Sequence, residues 1–420
     1  MTPAAGVGKP ELEVQGDAYR IAWPNGIVAE LDRFSEHRDE LTAEVTIRSD
    51  RPPRPGLLHS ARFNLMSTQA RKTLCGALAQ RDPELDWGAI VEALCFLARE
   101  RYRAGDPTLD LRSHERSQTA RWLLEPFLEH GGPTTIAAHG GSGKTRSALA
   151  IAVTLASGVP IIGRLHGDPC PVMVLDWETD ADTWLESLDA VLAGAEIGRR
   201  PPIYYRRMVA SLPESAPTVR REVSRLRVGA VIVDSLGMAR GGEPESADMT
   251  LRVFAAARSL EVPVLFTDHV TNAAADDAKR PFGSAYTWNS SRLVWTIDKV
   301  QEEGNNALPL AFVNRKRNNG RLLPRQGYRI EFDNGAQDQL LAIRFRRIDV
   351  AATPGLAEKL PLRQRILAEL RGGPIAVDAL VSELGVDEKQ LGSRVGEMVR
   401  RGELVRLEDR RVALAARESA

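Results

Sequence analysis

The segment AHGGSGKT, from Ala138 to Thr145, has the residue types and spacing that predict phosphate chemistry. Its glycines let consecutive backbone N–H groups turn inward around an anionic phosphate at the start of the following helix. Lys144 would reach the β- and γ-phosphates of a nucleotide, and the hydroxyl of Thr145 would bind Mg²⁺. We therefore expect ATP to contact eight consecutive residues: His139, Gly140, Gly141, Ser142, Gly143, Lys144, Thr145 and Arg146.

The sequence around this segment supplies the context that a phosphate-binding loop needs. A short strand-like run, TTIAA, precedes it, and an amphipathic helical stretch follows from Thr145 to Ser157. One residue departs from the usual pattern GxxxxGK[ST], because Ala138 stands in place of the first glycine.

Two further segments place carboxylates at the ends of apolar runs. In VGAVIVDS, Asp234 closes a run typical of a buried parallel strand, where it would hold Mg²⁺ together with Thr145. In VMVLDWETD, Glu178 lies just beyond a second such run, where its carboxylate would polarise the attacking water. Asp176 and Asp180 compete for that role, and any of the three would alternatively cap the next helix.

Strand-like and helical stretches alternate through residues 118–349, which predicts an α/β core with a central, mainly parallel sheet. From Arg292 onward strands predominate and would extend the sheet through antiparallel neighbours.

The flanking segments predict two smaller modules. Residues 1–110 would form an α+β module, with a meander over Glu11 to Arg48, a break at RPPRPG, and helices over Ser67 to Ala79 and after Asp86. Residues 360–415 predict three short helices and a two-stranded wing, joined to the core by a linker from Ala351 to Pro361.

Composition limits the possible partners and surroundings. The 420 residues carry 56 Lys plus Arg and 56 Asp plus Glu, so any contact with a polyanion must be local. Cys75, Cys95 and Cys170 are too few and too scattered for a disulfide framework. The longest apolar run, around Val228 to Leu236, is far shorter than the ~18 residues that span a bilayer. We expect a cytoplasmic protein with no membrane partner.

The strand series also resembles a known group. Glu178 after one strand, Asp234 on another, and VPVLFTDHVTN followed by RPFGSAYTWNSSRLVW resemble the RecA-like ATPases of the RepA and DnaB hexameric helicase group, most closely the RepA-like branch. This resemblance covers about Trp122 to Phe332 and implies a RecA-like fold. It also implies that His269 senses the γ-phosphate and that Arg292 is an arginine finger reaching a neighbouring subunit. In VNRKRNNG, which resembles a DnaB-type basic segment, Arg315 and Arg317 are competing candidates for the finger.

The same resemblance implies that mobile core loops of a ring contact single-stranded DNA. The loops would be Gly237 to Ala247, with Arg240, and Thr271 to Trp288, with Lys279 and Arg280. The C-terminal helices and wing resemble a winged helix-turn-helix domain, which would bind duplex DNA or serve as a protein docking module. Its basic residues lie on or at the end of the third helix and at the wing tip: Lys389, Arg394, Arg400, Arg401, Arg410 and Arg411.

The sequence thus predicts an ATP- and Mg²⁺-dependent RecA-like ATPase that forms a homo-oligomer, expected to be hexameric, and acts on DNA. A replicative helicase of a plasmid, phage or other mobile element is the favoured function. The alternative is an ATP-switched DNA-binding regulator without motor activity.

Overall fold

The computed structural model describes residues 8–15, 18–51, 55–105, 108–115, 121–243, 245–270, 281, 285–301, 303–337 and 339–415. The chain divides into two compact units. The first contains Met1–Ala120, Leu212–Val228 and Ala255–Glu261, and the second contains Arg121–Ser211, Gly229–Phe254 and Val262–Ala420.

The first unit is built on a five-stranded antiparallel sheet whose strands follow one another in chain order. Its elements are β1 (Glu11–Gln15), β2 (Ala18–Ala22), β3 (Ile27–His37), β4 (Glu40–Ser49), β5 (Gly56–Asn64), α1 (Thr68–Arg81), α2 (Trp87–Ala104) and, from later in the chain, α5 (Leu212–Arg225). Alternate residues of β4 are buried, and this apolar face packs with α1 and α2 in one cluster. The expected meander and both helices are present, and the Asp86 side chain accepts from the N–H of Ala89 at the start of α2.

One element of this unit was missing from the sequence prediction. The proline-rich break is followed by a fifth strand, β5, and not directly by a helix. Only Leu58 and Phe63 of β5 are buried, so its sequence lacks the alternation that identifies a half-buried strand.

The second unit contains a nine-stranded sheet in the order β11-β10-β12-β13-β8-β14-β15-β16-β17. Its strands are β8 (Thr134–Ala137), β10 (Val172–Asp176), β11 (Ile203–Arg207), β12 (Ala230–Asp234), β13 (Val264–Asp268), β14 (Leu293–Lys299), β15 (Ala307–Arg317), β16 (Gln326–Asn334) and β17 (Leu340–Ile348). The helices of this unit include α3 (Lys144–Ser157), α4 (Ala181–Gly194), α6 (Leu236–Ala239), α8 (Ala285–Ser290) and α7 (Ala247–Ser259), whose residues from Ala255 onward belong to the first unit. A small sheet of β6 (Trp122–Glu125), β7 (Leu128–Glu129) and β9 (Arg164–Leu165) completes this part.

Strands β8 and β10 to β14 pair in parallel, and β15 to β17 extend the sheet in the antiparallel sense. The predicted α/β class with a mainly parallel sheet is therefore confirmed, and the architecture is that of a RecA-like P-loop core. Strands β8, β10, β12 and β13 bury almost every residue, which is typical of parallel strands covered on both faces.

The C-terminal segment has the predicted order of helices and hairpin. It contains α9 (Leu362–Glu369), β18 (Ile375–Ala376), α10 (Val377–Leu384), α11 (Glu388–Arg400), β19 (Leu404–Arg406) and β20 (Arg411–Leu414). These elements share an apolar cluster of their own, centred on residues such as Ile366, Leu391 and Val395. Its description as a winged helix stays a prediction.

The sequence suggested a linker before α9, but this segment is folded and partly buried. It contains a 3-10 helix over Ala357–Lys359, and Leu356 and Leu360 are buried with Ala311 and Val350 in an apolar cluster. None of the described helices combines the length and apolarity required to cross a membrane.

Candidate active site

The phosphate-binding segment lies where the sequence placed it, between the carboxyl end of β8 and the first turn of α3. Gly141 and Gly143 take positive φ angles of 63° and 76°, which residues with a Cβ rarely adopt. A Cβ on Gly143 would also meet the side chain of Ile330 at 3.2 Å. Ala138 takes a negative φ and is buried, with its N–H donating to the carbonyl oxygen of Asp268 at 3.0 Å, so this position does not need the usual glycine.

Lys144 lies across the loop. Its ammonium group donates to the carbonyl oxygens of Ala138 at 2.8 Å and His139 at 3.3 Å, and lies 3.4 Å from Nδ1 of His269. Burial lowers the pKa of Lys144, and the nearby carboxylates of Asp234 and Glu178 oppose that shift. The ammonium group is thus held inside the loop, where a bound phosphate would contact it.

Thr145 and Asp234 are in direct contact, although Asp234 ends β12 and β13 lies between β12 and β8. The hydroxyl of Thr145 donates to Oδ2 of Asp234 at 2.8 Å, and the hydroxyl of Thr267 donates to Oδ1. Burial raises the pKa of Asp234. A hydroxyl and a carboxylate are the hard oxygen donors that Mg²⁺ prefers, so these residues fit the predicted metal. Mg²⁺ usually keeps several waters and binds phosphate oxygens beside one or two protein ligands, and phosphate and water would complete the coordination here. Among the described residues no group of three or more His, Cys, Asp or Glu could hold a metal ion.

The three competing acidic residues have separate roles in the structure. Asp176 is buried and accepts from Glu178 N, Thr179 N, Thr179 Oγ1 and Tyr205 OH, which makes it a structural support for the turn after β10. Asp180 caps α4 by accepting from Thr183 N, a bond that lowers its pKa. Glu178 remains as the carboxylate that faces the phosphate-binding loop, with Oε1 accepting from Ser235 Oγ at 2.5 Å.

A cavity of about 340 Å³ brings these groups together. Side chains from the carboxyl ends of four neighbouring parallel strands line it together with the loop: Lys144, Thr145, Glu178, Asp234 and His269. The predicted nucleotide contacts Gly140, Gly141, Ser142, Gly143 and Arg146 line it too, whereas His139, Arg292 and Arg317 are not among its described lining residues.

One family model matches the part of the chain that forms this site. Residues 98–275 match a family model described as AAA domain, a stretch that includes the loop, Glu178, Asp234 and His269 but less than half of the chain. No curated protein matches the sequence. Among solved structures, a KaiC-like protein from the hyperthermophilic archaeon Pyrococcus horikoshii OT3 is similar over 53% of this chain and 93% of its own, with 14% identity and a TM-score of 0.38. The architecture of the core is given by its own sheet order.

The core has the fold of a RecA-like P-loop domain. Within it, His269 follows β13 and its N–H donates to Oδ1 of Asp268. Burial lowers the pKa of His269, and the positive charge of Lys144 lowers it further. A neutral imidazole beside Lys144 is suited to detect an arriving phosphate by hydrogen bonding.

The candidates for the arginine finger lie near the amino ends of the parallel strands, whereas the cavity lies at their carboxyl ends. Leu293 pairs with Thr134 in the parallel register, and the N–H of Arg292 donates to Pro133, so Arg292 lies at the amino end of β8. The four residues of β8 separate that end from the phosphate-binding loop by about 13 Å. The side chain of Arg292 is exposed.

Arg315 and Arg317 both contact other residues of the same core. Nε of Arg317 donates to Oε1 of the buried Glu129 at 2.9 Å, and its guanidinium group lies over the ring of Trp122. Nε of Arg315 donates to the hydroxyl of Thr296 at 2.8 Å. Within one subunit Arg317 therefore packs against Glu129 and Trp122, and the choice of Arg292, Arg315 or Arg317 as the finger stays a prediction.

One residue of the predicted DNA-contacting core loops is buried and not exposed as expected. Arg240 is only 1% exposed, so it does not supply positive charge to a surface loop. It donates to Thr287 Oγ1 and lies beside the buried carboxylate of Asp268. Lys279 and Arg280 lie outside the described residues, as does most of the second loop.

Sequence reasoning missed two residues that support the loop and the carboxylate. Ser235 orients Glu178, and Lys299, at the carboxyl end of β14, donates to the carbonyl oxygen of Gly141 at 2.9 Å. Ser235 directly follows Asp234, a position that could have suggested a role, whereas no local pattern marks Lys299.

Proposed function

We propose that this protein is a Mg²⁺-dependent ATPase that hydrolyses ATP by in-line attack of water and acts on DNA as an oligomer. The observation that carries the proposal is the convergence of Lys144, Thr145, Asp234 and Glu178 on one cavity. This set supplies a phosphate-binding cation, a metal-binding pair and a carboxylate for the attacking water.

The residues of the cavity divide the chemical work. Backbone N–H groups of the loop and the ammonium of Lys144 hold the β- and γ-phosphates and stabilise charge as it develops. Thr145 and Asp234 would hold Mg²⁺, which neutralises phosphate charge when bound. Glu178 accepts a hydrogen bond from the attacking water, and Ser235 fixes one oxygen of that carboxylate.

The sequence resemblance supports a RepA-like replicative helicase as the specific form of this function, in a ring that we expect to be hexameric. In that arrangement Arg292 of one subunit completes the site of the next, which agrees with its exposure and its distance from its own phosphate-binding loop. We also propose that core loops bind single-stranded DNA, that the C-terminal segment binds duplex DNA, and that the protein is cytoplasmic.

One set of contacts favours the alternative of an ATP-switched regulator. Nζ of Lys299 donates to Gly141 of the phosphate-binding loop, and the carbonyl oxygen of Lys299 accepts from Nζ of Lys359 at 2.6 Å. Lys359 belongs to the segment that leads into α9, so nucleotide binding would be transmitted to the C-terminal helices through Lys299.

Hydrolysis with and without single-stranded DNA tests the proposal and separates the two functions. We expect phosphate release by the wild-type protein, and none by the Lys144→Ala variant. Lys72→Ala, which removes an exposed lysine from α1, is the matched control and should keep wild-type turnover.

A motor should show turnover that rises with single-stranded DNA, whereas a switch should bind ATP tightly and hydrolyse it slowly with or without DNA. Equal phosphate release by the wild-type and Lys144→Ala proteins would contradict the ATPase assignment.

A further inference from the structure

The first unit contains a second cavity, of about 430 Å³, that is lined mainly by arginines. This volume lies within the range of ~300–1,000 Å³ typical of small-ligand pockets. Residues of β2, β3, α5 and the segment just after α5 line it: Ala18, Asp32, Arg33, Pro217, Arg220, Arg221, Ser224, Arg225 and Arg227. Asp32 is the one carboxylate among these described lining residues, and Glu44 and Glu261 pair with two of the arginines from outside the lining. Five arginines against three carboxylates leave a formal charge of +2, although the whole chain has none.

Three of the arginines are held in place by carboxylates. Arg221 pairs with Asp32 at 2.6 Å, Arg33 pairs with Glu44 at 2.9 Å, and Arg220 pairs with Glu261 at 2.5 Å. A guanidinium group has five N–H donors, so an arginine held by one carboxylate keeps further donors for a ligand. These pairs fix the walls of the cavity before any ligand arrives.

A β-bulge directs Arg33 toward α5. The register of β3 against β4 shifts between Asp32 and Ser35, and Arg33 takes a φ of 50° there. A second donor of Arg33 reaches the hydroxyl of Thr218 in α5 at 3.3 Å. Bulges commonly redirect a side chain in this way at functional positions.

The remaining two arginines have no such partners. Arg225 and Arg227 are exposed and form no side-chain hydrogen bond or ion pair with any described residue. Each presents a full set of donors in the fork geometry that matches phosphate oxygens. The cavity therefore combines preorganised walls with two uncompensated cations.

We propose that this cavity binds the phosphate groups of a single nucleic-acid strand. The inference rests on the proposed action on DNA and gives that action a contact site outside the ATPase core loops. None of the described lining residues is aromatic, so bases would not stack there and binding would not depend on sequence. Recognition through the backbone alone also predicts a marked dependence on salt.

The test uses the full-length protein, a fluorescein-labelled oligothymidylate and a saturating non-hydrolysable ATP analogue, which keeps the phosphate-binding loop occupied throughout. Fluorescence anisotropy measures affinity over a series of salt concentrations. For the Arg225→Gln/Arg227→Gln double variant, loss of two phosphate contacts should flatten the salt slope by about 1.4 and weaken binding about 25-fold at ~0.1 M salt.

The matched control is Arg48→Gln/Arg81→Gln, which removes two exposed arginines of the same unit that do not line the cavity. Its affinity should stay within a few-fold of wild type, and Arg225→Lys/Arg227→Lys, which keeps both charges, should retain most of the binding. Thermal melting checks that every variant is folded.

Unchanged binding by Arg225→Gln/Arg227→Gln, or an equal loss in both glutamine pairs, would overturn the cavity assignment while leaving action on DNA intact. Failure of the wild-type protein to bind the oligonucleotide at all would overturn both proposals.

Discussion

The guanidinium group of Arg240 lies 3.9 Å from the carboxylate of Asp268, and both side chains are buried. Arg240 ends the short helix after β12, and Asp268 ends β13 immediately before His269. Arg240 also donates to Thr287 in α8, near the end of the second proposed DNA loop. The pair therefore joins the residue before His269 to one residue in each of the two proposed loops.

Replacing Arg240 by Met keeps an apolar stem of similar length and removes the charge. Because burial raises the pKa of Asp268 to about 7, its carboxyl can take up a proton when the cation is removed, so we expect the free energy of unfolding at neutral pH to fall by about 1–2 kcal/mol, mainly through the lost hydrogen bond to Thr287. Urea denaturation measures this loss. The Arg240→Met/Asp268→Asn double variant should recover part of it, and a loss below about 1 kcal/mol in the single variant would show that the pair contributes little.

Asp268 should also give stability a distinctive pH dependence. Burial raises its pKa to about 7, against about 3.9 in the unfolded chain. Between these values the native state holds a proton that the unfolded state has released, so this contribution to stability falls as pH rises from about 4 to about 7. Asp268→Asn should remove the trend, and its stability relative to wild type should increase across that window in denaturation curves.

Asp180 is the control for this experiment, because its pKa is lowered by the hydrogen bond that it accepts from Thr183 N. A carboxylate with a lowered pKa stabilises the native state above its unfolded pKa and loses that effect as pH falls. Asp180→Asn should therefore change the pH profile on the acid side and with the opposite sign. Parallel profiles for the two variants would contradict the assignment for Asp268.

Glu178→Gln should separate nucleotide binding from hydrolysis. Glutamine keeps an oxygen that accepts from Ser235 but is no longer an anionic base, so nucleotide affinity should remain while turnover falls by about 10²-fold or more. Binding of a fluorescent ATP analogue and phosphate release measure the two properties. Asp180→Asn should leave turnover nearly unchanged, and wild-type turnover in Glu178→Gln would move the water-orienting role elsewhere.

Arg292→Ala tests whether subunits share their active sites. If Arg292 acts on a neighbour, excess variant subunits mixed with wild type should depress activity more steeply than dilution does, because a finger can supply ~10³-fold in rate. A strictly linear decline would mean that each subunit completes its own site.

Arg317→Ala is the companion variant, and its effect should be on stability. It removes one of the donors to the buried Glu129, which Asn319 and Arg121 still contact. We expect a loss of about 1–3 kcal/mol in the free energy of unfolding.

The position of a C-terminal truncation should decide whether the ATPase core stays intact. A cut after Val350 removes Leu356 and Leu360 from the apolar cluster that they form with Ala311, at a cost of about 2 kcal/mol or more. A cut after Pro361 keeps both leucines and should preserve ATP hydrolysis while removing ATP-independent binding of duplex DNA. Retained duplex binding in the longer fragment would instead favour a protein docking role for the C-terminal segment.

The sequence alone determined the features that depend on neighbouring residues. The runs of β10, β12 and β13 could be identified as buried strands because most of their residues are apolar. The loop before α3 could be read directly, because backbone N–H groups and glycines close in sequence form it. The carboxyl ends of parallel strands share one edge of a sheet, so Thr145, Glu178 and Asp234 could be expected to meet there.

Only the tertiary structure decided what depends on distant contacts. Arg240 looks like a surface charge in a glycine-rich loop, and its burial beside Asp268 follows from how β13 and α8 pack around it. Arg317 pairs with Glu129, far away in sequence, and Lys299 reaches Gly141 because β14 runs parallel beside β8. The arginines of the second cavity lie on β3 and α5, and no local pattern connects those segments. Periodicity reports the burial of a side chain within its own helix or strand, but the partner of a charge is set by which elements the completed fold brings together.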